Sequence, residues 1–551
     1  EEVQAEEEVQ AEEEVQAEEE VQAEEEVQAE PEKSPDGDEQ SATNDVADVA
    51  PITVEDSIHA AYEQFATLIN DYEEEWVLQR YMSSFARAFD PHSDYMSPRA
   101  VSDFDIEMKL SLVGIGALLR AEDGAAHIVR LIPGGPAERD GRLQPGDKII
   151  GVGQGDEDPV NTLHWPLSKT VQIIRGEKGT MVTLVIVPDS DPSGTTTTKI
   201  ELKRDVVKLD ESAAKSETHT LELEAEKTVE IGVVKLPAFY VDLRAKSDKK
   251  TVDYKSSAKD IRRILGELVD QDVGGVILDL RNNGGGSLLE AVELSGLFIR
   301  SGPVVQVKEQ RRISVLPDPD RNIIFDGPLI VLVNRLSASA SEILAAALQD
   351  YGRAVIVGDS QTHGKGTVQT VLPLDRRDQK MGSVKVTTAG FFRVKGGSTQ
   401  LKGVTPDIIV PSAYDMMDVG EGALKNPLLW SKVNPVPFRQ HNDLSRLTPD
   451  MRDRSIARRK QNETYMRRQA LLEELQTFRD GEEMSLVYGD AMKLARLEKK
   501  LGDLHRERVV AADGGKKKSS DLVLEESLLI MRDLIALLNG DKLRATARPA
   551  E

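Results

Sequence analysis

The residues of this chain best suited to chemistry are a serine at the entry to an apolar stretch and a lysine 26 residues further on. Ser337, Ser339 and Ser341 alternate with alanine in Ser337-Ala338-Ser339-Ala340-Ser341-Glu342, and Lys365 stands between Gly364 and Gly366. A serine hydroxyl is a weak nucleophile until a neighbouring base takes its proton. A lysine is such a base only where apolar, desolvated surroundings keep its amine neutral. The flanks offer that setting: 328–333 and 354–357 read as buried strands, and 343–348 as an apolar helix. Serines spaced by two on a turn cannot all face one pocket, so one attacks and the others cap the helix or pack beside it. The competing reading is a plain helix cap and a solvated loop lysine.

Two glycine-bearing segments add to this pair. Asp279-Leu280-Arg281-Asn282-Asn283-Gly284-Gly285-Gly286 follows a strand pattern and precedes a helix pattern, so its main-chain N–H groups can face an oxyanion or a phosphate. No Gly-Lys-Ser/Thr follows, which disfavours the phosphate. Leu112-Val113-Gly114-Ile115-Gly116 lies between short strands and can offer N–H donors to the carboxylate ending a peptide, while the neighbouring sheet edge accepts an added strand. His92 and His363 have no second ligand at metal spacing, so they read as satisfied or exposed side chains and no metal site is assigned.

The elements that must position these groups follow from composition and pattern. At 551 residues and 39% hydrophobic content, the chain is long enough for several packed domains. Residues 1–30 are five copies of Glu-Glu-Val-Gln-Ala-Glu; removing their 15 negative charges from the net −27 leaves −12. An acidic chain lacks the basic footprint of nucleic-acid binding. With no cysteine, thiol nucleophiles, cysteine zinc sites and disulfides are excluded. No run of about 18 apolar residues and no signal peptide pattern is visible. The expected organisation is a disordered acidic tail over 1–50, a helical region over 51–106, and a β-rich module over 107–205. A polar linker over 206–227, an alternating strand–helix core over 228–412 and a helical region over 413–551 follow.

These segments, in this order, resemble serine peptidase family S41, the tail-specific or C-terminal processing proteases, in their long bacterial periplasmic form. The resemblance rests on Asp90-Pro91-His92-Ser93-Asp94-Tyr95-Met96-Ser97-Pro98, Leu112–Gly116, Gly134-Gly135-Pro136-Ala137, Pro145-Gly146-Asp147-Lys148-Ile149, Asp279–Gly286, Ser337–Glu342, Gly364-Lys365-Gly366-Thr367-Val368-Gln369 and Gly403-Val404-Thr405-Pro406-Asp407. It implies a multidomain α/β chain: a protease core of mixed sheet and helices, an inserted PDZ domain over 107–205, and helical flanks. By resemblance Ser339 is the nucleophile, Lys365 the general base and Gln369 its orienting partner. Ala340 and Gly285, or else Gly286, would form the oxyanion hole. Asp350 would be structural, Leu112–Gly116 would hold the substrate's end, and Trp430 would belong to a C-terminal region of the long form. The implied function is a cofactor-free endopeptidase of the cell envelope acting on unfolded or C-terminally tagged proteins. An adaptor protein and peripheral membrane association are the further partners to test, and the oligomeric state stays open. One departure is that Gly358–Gly364 is one residue longer than usual, with His363 where an aromatic is common; a charged His363 would depress the lysine's pKa. A silent peptide-binding scaffold and a hydrolase of small esters or amides are the rival classes.

Overall fold

The structure, a computed structural model, describes Tyr62 and residues 74–546 apart from 192–195, 224–226, 249–253, 319, 376–380, 442–443, 480–491, 498, 501–507, 510–517 and 520. The acidic tail expected over 1–50, and residues 51–73 of the expected helical region, lie outside the described residues except Tyr62. From Glu74 onward α1 (Glu74–Arg87) and α2 (Pro98–Lys109) flank the short strand β1 (Asp94–Met96). The turn Asp90-Pro91-His92-Ser93 between them is tied by Asp90 Oδ1, which accepts the N–H groups of His92 and Ser93. Ser97 caps α2 through the N–H of Ala100, and Leu110 ends that helix in the left-handed conformation.

Alternating apolar residues then build the β-rich module. β3 (Ala117–Glu122), β4 (Ala125–Leu131), β5 (Lys148–Gln154), β7 (Met181–Val187) and β8 (Thr198–Lys203) follow one another across a sheet, with β6 (Val160–Asn161) paired to β5. α3 (Pro136–Asp140) and α4 (Leu167–Ile174) pack on it around Ile128, Leu143, Ile149 and Leu184. β2 (Ser111–Gly114) closes the module by pairing with β9 (Asp205–Lys208). Segment 206–227 is therefore more than the expected linker: it holds most of β9 and all of β10 (Lys215–Glu222). β10 is the outer strand of its sheet and most of its side chains face solvent, so its sequence is polar and carries no apolar alternation.

The core is laid out by buried strands separated by helices. In chain order these are β11 (Thr228–Lys235), α5 (Ser257–Asp270), β12 (Gly275–Asp279), α6 (Leu288–Ser295), β13 (Pro303–Lys308), β14 (Ile313–Pro317), β15 (Leu329–Val333), α7 (Ala340–Asp350), β16 (Val355–Gly358), β17 (Thr367–Pro373), β18 (Ser383–Phe392) and β19 (Ile408–Ile409). The main sheet runs β10-β11-β12-β15-β16-β19, parallel from β11 onward. Every residue of β12 and β15 is buried, which requires cover on both faces. α5, α6 and α7 cover one face, packed on Val276, Leu278 and Val331. The other face, with Ile277, Ile330 and Leu332, is covered by helices of the C-terminal region: α8 (Thr448–Gln461), α9 (Glu463–Arg479) and α10 (Leu522–Thr546). A second sheet joins β1, β18, β13 and β14, with β17 beside β18. From Glu74 onward, the segments before, within and after the core thus share one packed body.

Ile530 of α10 is fully buried against the main sheet's second face. Ile530→Ala should cost about 2–5 kcal/mol, the range for emptying a buried aliphatic site. The check is urea unfolding followed by circular dichroism, with a lower midpoint expected.

Candidate active site

Parallel strands point their carboxyl ends the same way, so the loops after β12, β15 and β16 meet at one rim. The loop after β15 is the serine turn. Ser337 Oγ donates to the carbonyl of Leu280 (2.8 Å) and Ser341 Oγ to that of Asn283 (2.9 Å). These bonds stitch the serine turn to the glycine loop after β12, and they engage the two outer serines. Ser339, between them, is the cap residue of α7 and has φ 58° and ψ −111°. A positive φ is strained for a residue with a side chain, and such strain gathers at functional turns.

The strain is held by Glu342, one turn into α7 and fully buried. Its Oε2 accepts the N–H of Ser339 (2.7 Å) and the N–H of Lys365 (3.0 Å). Its Oε1 accepts the hydroxyl of Thr362 (2.6 Å) and the N–H of Gly364 (2.7 Å). One oxygen thus bonds the main chain of both proposed catalytic residues, which keeps the two nitrogens within about 6 Å of each other. Burial pushes the Glu342 carboxyl up to about 7, against the four donors that favour its charged form. The lysine loop is also pinned by His363 N–H donating to the carbonyl of Ser337 (3.0 Å). Its two glycines answer a packing need. A side chain at Gly366 would strike Ser398 and Gln400, and one at Gly364, at φ +97°, would crowd the backbone of Leu401.

Lys365 itself is partly buried, and desolvation, followed by the nearby Lys385 charge, brings its pKa down to about 8. Glu421, Glu342 and Asp90 pull the other way. His363 is held below its ordinary pKa, chiefly by burial, so a charged histidine in this loop is not the form favoured at neutral pH. Gln369, on β17, donates its amide to the hydroxyls of Thr367 (2.9 Å) and Thr387 (3.1 Å). Thr387 in turn donates to Asp90 (2.8 Å), so the N-terminal turn is keyed to the strand that follows the lysine.

The glycine loop lies directly against the serine. A Cβ at Gly285 would sit 2.8 Å from the Ser339 Cβ and 3.1 Å from the Ala340 nitrogen, at a φ of +107°. Ala340 N–H, at the first position of α7, has no partner within the helix. Gly285 N–H donates to the Asn283 side-chain oxygen (2.9 Å). Gly286, at φ +138°, lies against the carbonyl of Phe239, where a side chain would clash at 2.4 Å. Asp350 binds Arg393 (2.6 Å) and Lys395 (3.3 Å). Trp430 donates its indole N–H to the carbonyl of Ser398 (2.9 Å), beside the lysine loop.

In the β-rich module, Leu112, Val113 and Gly114 belong to β2, and Ile115 and Gly116 lead into β3. The carbonyls of Ile115 and Gly116 accept the N–H groups of Ala137 (2.8 Å) and Ile132 (2.8 Å), which fixes the loop on the Gly134–Ala137 turn. β3 is the edge strand of its sheet, with α4 packed against it, and an edge strand can pair with an added chain. Arg175, ending α4, pairs with Asp103 of α2 (2.8 Å) and ties the module to the N-terminal region.

Residues 230–410 match the family model for Peptidase family S41, and residues 104–187 that for the PDZ domain. Residues 5–99 match the tail specific protease N-terminal domain, and 414–536 the C-terminal domain of tail specific protease. The chain is 30% identical over 370 residues to a carboxy-terminal-processing protease of Bartonella bacilliformis, covering 66% of this chain and 76% of the relative. The chain belongs to peptidase family S41. It is 42% identical over 374 residues to a tail-specific protease of Haemophilus influenzae, covering 67% of this chain but only 50% of that relative's length. A solved PDZ domain of the carboxy-terminal protease from Vibrio cholerae, in complex with a peptide, is 41% identical and covers 18% of this chain and 100% of its own, with a TM-score of 0.18.

Sequence reasoning gives Glu342 no role, although Ser339-x-x-Glu342 carries the spacing of a capping box. It also misses Glu421, which is fully buried and bonds His92 (2.8 Å) and Gln400 (2.8 Å). No local pattern marks that residue. Glu342→Gln should set an amide NH₂ against at least one main-chain N–H, that of Gly364, and leave that buried donor unpaired, at about 1–3 kcal/mol. The expected result is a kcat lowered at least tenfold with KM little changed, together with a lower melting temperature. Steady-state cleavage kinetics and calorimetry check it.

Proposed function

We propose that this chain is a serine endopeptidase that takes hold of protein C-termini through its PDZ domain and cleaves unfolded or tagged chains. The observation that carries the reading is the shared Glu342 oxygen, which accepts the main-chain N–H groups of both Ser339 and Lys365, a lysine of lowered pKa. In this reading the substrate's final residues add a strand along β3, with the terminal carboxylate at Leu112–Gly116. Lys365 Nζ takes the Ser339 proton as Oγ attacks the scissile carbonyl. The oxyanion is met by Ala340 N–H and by Gly285 N–H, the latter exchanging Asn283 for the substrate oxygen. The tetrahedral species collapses as the lysine returns its proton to the leaving amine, and the peptide bond breaks. Water, deprotonated by the same lysine, then hydrolyses the acyl-enzyme and restores the serine. Gln369, expected to orient the lysine, instead donates its amide to Thr367 on β17 and Thr387 on β18, the strands that follow the lysine loop. The same reading assigns the protein to the bacterial cell envelope, on kinship with tail-specific proteases, and an adaptor delivering substrates is the partner to look for there. Among the described residues no helix is long and apolar enough to cross a membrane.

A pair of unfolded reporters, one ending in apolar residues and one in charged residues, tests both halves. Wild type should cleave the apolar-ended reporter faster, and Ser339→Ala and Lys365→Ala should each lose at least a hundredfold in kcat/KM. Equal rates on both reporters would point to a hydrolase without end recognition, and cleavage by Ser339→Ala would overturn the assignment of the nucleophile. The pH profile supplies an independent check. The base must be deprotonated, so kcat/KM should rise about tenfold per pH unit below about 8 and level off above it, as the lysine loses its proton.

A further inference from the structure

Behind the two catalytic loops, at the carboxyl ends of β11, β12 and β15, lies a cavity of about 370 Å³. Its floor is the sheet and its far wall is the C-terminal region, from α9 and the start of α10. The carboxylates on its lining already hold donors. Arg281 is clamped between Asp279 (2.7 and 3.0 Å) and Asp521 (2.7 and 2.9 Å). Asp359 accepts the N–H of Arg335 (2.9 Å) and both the N–H (2.6 Å) and hydroxyl (2.9 Å) of Ser412.

Arg468 of α9 stands apart from these pairs. It is only 5% exposed, it lines the cavity, and its Nε is buried with no hydrogen-bond partner. A buried guanidinium with an unmet donor is costly unless an anion or water meets it. Burial also pulls its pKa below the ordinary arginine value. A second cation, Lys235, stands on the rim at the end of β11. The rest of the lining includes apolar surface from Val333, Leu522 and Val523. A cavity with a cationic end and an apolar wall fits a ligand that has an acidic head and a short hydrocarbon body.

We propose that this cavity is a binding site for a small organic carboxylate, its head on the Arg468 guanidinium and its apolar end against Val333, Leu522 and Val523. The site is independent of the peptidase reading, because no catalytic step passes through it. It adjoins that machinery, however. Asn334, on the cavity lining, donates its amide to Asn282 (2.7 Å) and accepts the Asn282 N–H (2.9 Å), so an occupant rests against the turn that leads to Ser339.

Melting of the full chain at constant ionic strength tests the proposal, with 4-methylpentanoate as the probe. Wild type should gain about 2 °C or more at saturation. The uncharged 4-methylpentanamide and inorganic phosphate should give no comparable gain. Arg468→Met should abolish the shift while its ligand-free melting temperature stays level or rises, since a buried donor with no hydrogen-bond partner is gone. Lys235→Met, at an exposed position, should weaken the shift without altering the ligand-free value, and it serves if Arg468→Met does not fold. Binding at the PDZ domain would survive Arg468→Met, so an undiminished shift in that variant overturns the proposal. An equal shift with the amide or with phosphate overturns it as well. So does the lack of any shift in wild type up to about 50 mM, the weak end of small-ligand affinity.

Discussion

A buried carboxylate organises the centre of this molecule. Glu342 has lost its water, which costs several kcal/mol for an ionised group, and four donors from two short segments, the serine turn and the 362–365 loop, replace that water. Two of the donors are the main-chain N–H groups of Ser339 and Lys365 themselves. The main chains of the proposed nucleophile and base are therefore tied to one carboxylate, and backbone has far fewer conformations than the lysine's four-carbon stem. It also explains why both sides of Lys365 are glycine: the loop must come in close enough for its N–H groups to reach a carboxylate on α7 while passing Leu401 and Gln400.

The charge state of that lysine is a balance drawn from the whole chain. Desolvation and Lys385 favour the neutral amine, whereas Glu342, Glu421 and Asp90 favour the ammonium. Asp90 comes from the N-terminal turn and Glu421 from the segment after the core. Each is anchored by other bonds: Asp90 by Ser93 and Thr387, Glu421 by His92 and Gln400. Gln400 also accepts the N–H of Gly366 (2.8 Å), so a contact between N- and C-terminal segments ends on the residue next to the base. The flanking segments thus bear on the charge state of Lys365 directly.

The core is legible in the sequence where burial is two-sided. Leu329–Val333 and Gly275–Asp279 are uninterrupted apolar runs ended by polar turns, and both are strands. The serine and lysine loops are legible because glycine and serine mark turns and because the family resemblance orders them. Choosing among Ser337, Ser339 and Ser341 is beyond spacing alone, and the bonds of the outer two to Leu280 and Asn283 separate them. β10 reads as a linker because an edge strand facing solvent has no apolar alternation to display. Glu421 and Arg468 are invisible for a related reason. Each is a charged residue in a polar stretch, and its burial depends on segments far away in the chain.

The geometry of Ser339 shows why these features travel together. A positive φ at a serine costs about 1–3 kcal/mol, and nothing in its own side chain offsets that. The compensation comes from the bond of its N–H to Glu342, from the bond of its carbonyl to Ile343 N–H (3.0 Å), and from the stitching of its neighbours to the glycine loop. Those supports require α7 to start at the strand end and require Gly285 to lie against the turn without a side chain. The strained turn sits at the rim of the sheet and leaves the Ala340 N–H, the first of α7, without a partner in the helix, whereas the Ser341 N–H is taken by the carbonyl of Ala338 (3.1 Å). A parallel sheet supplies that rim, because all its crossovers end on one side. The proposed catalytic groups therefore sit where the topology concentrates loop ends, and the cavity beside Arg468 occupies the same rim for the same reason.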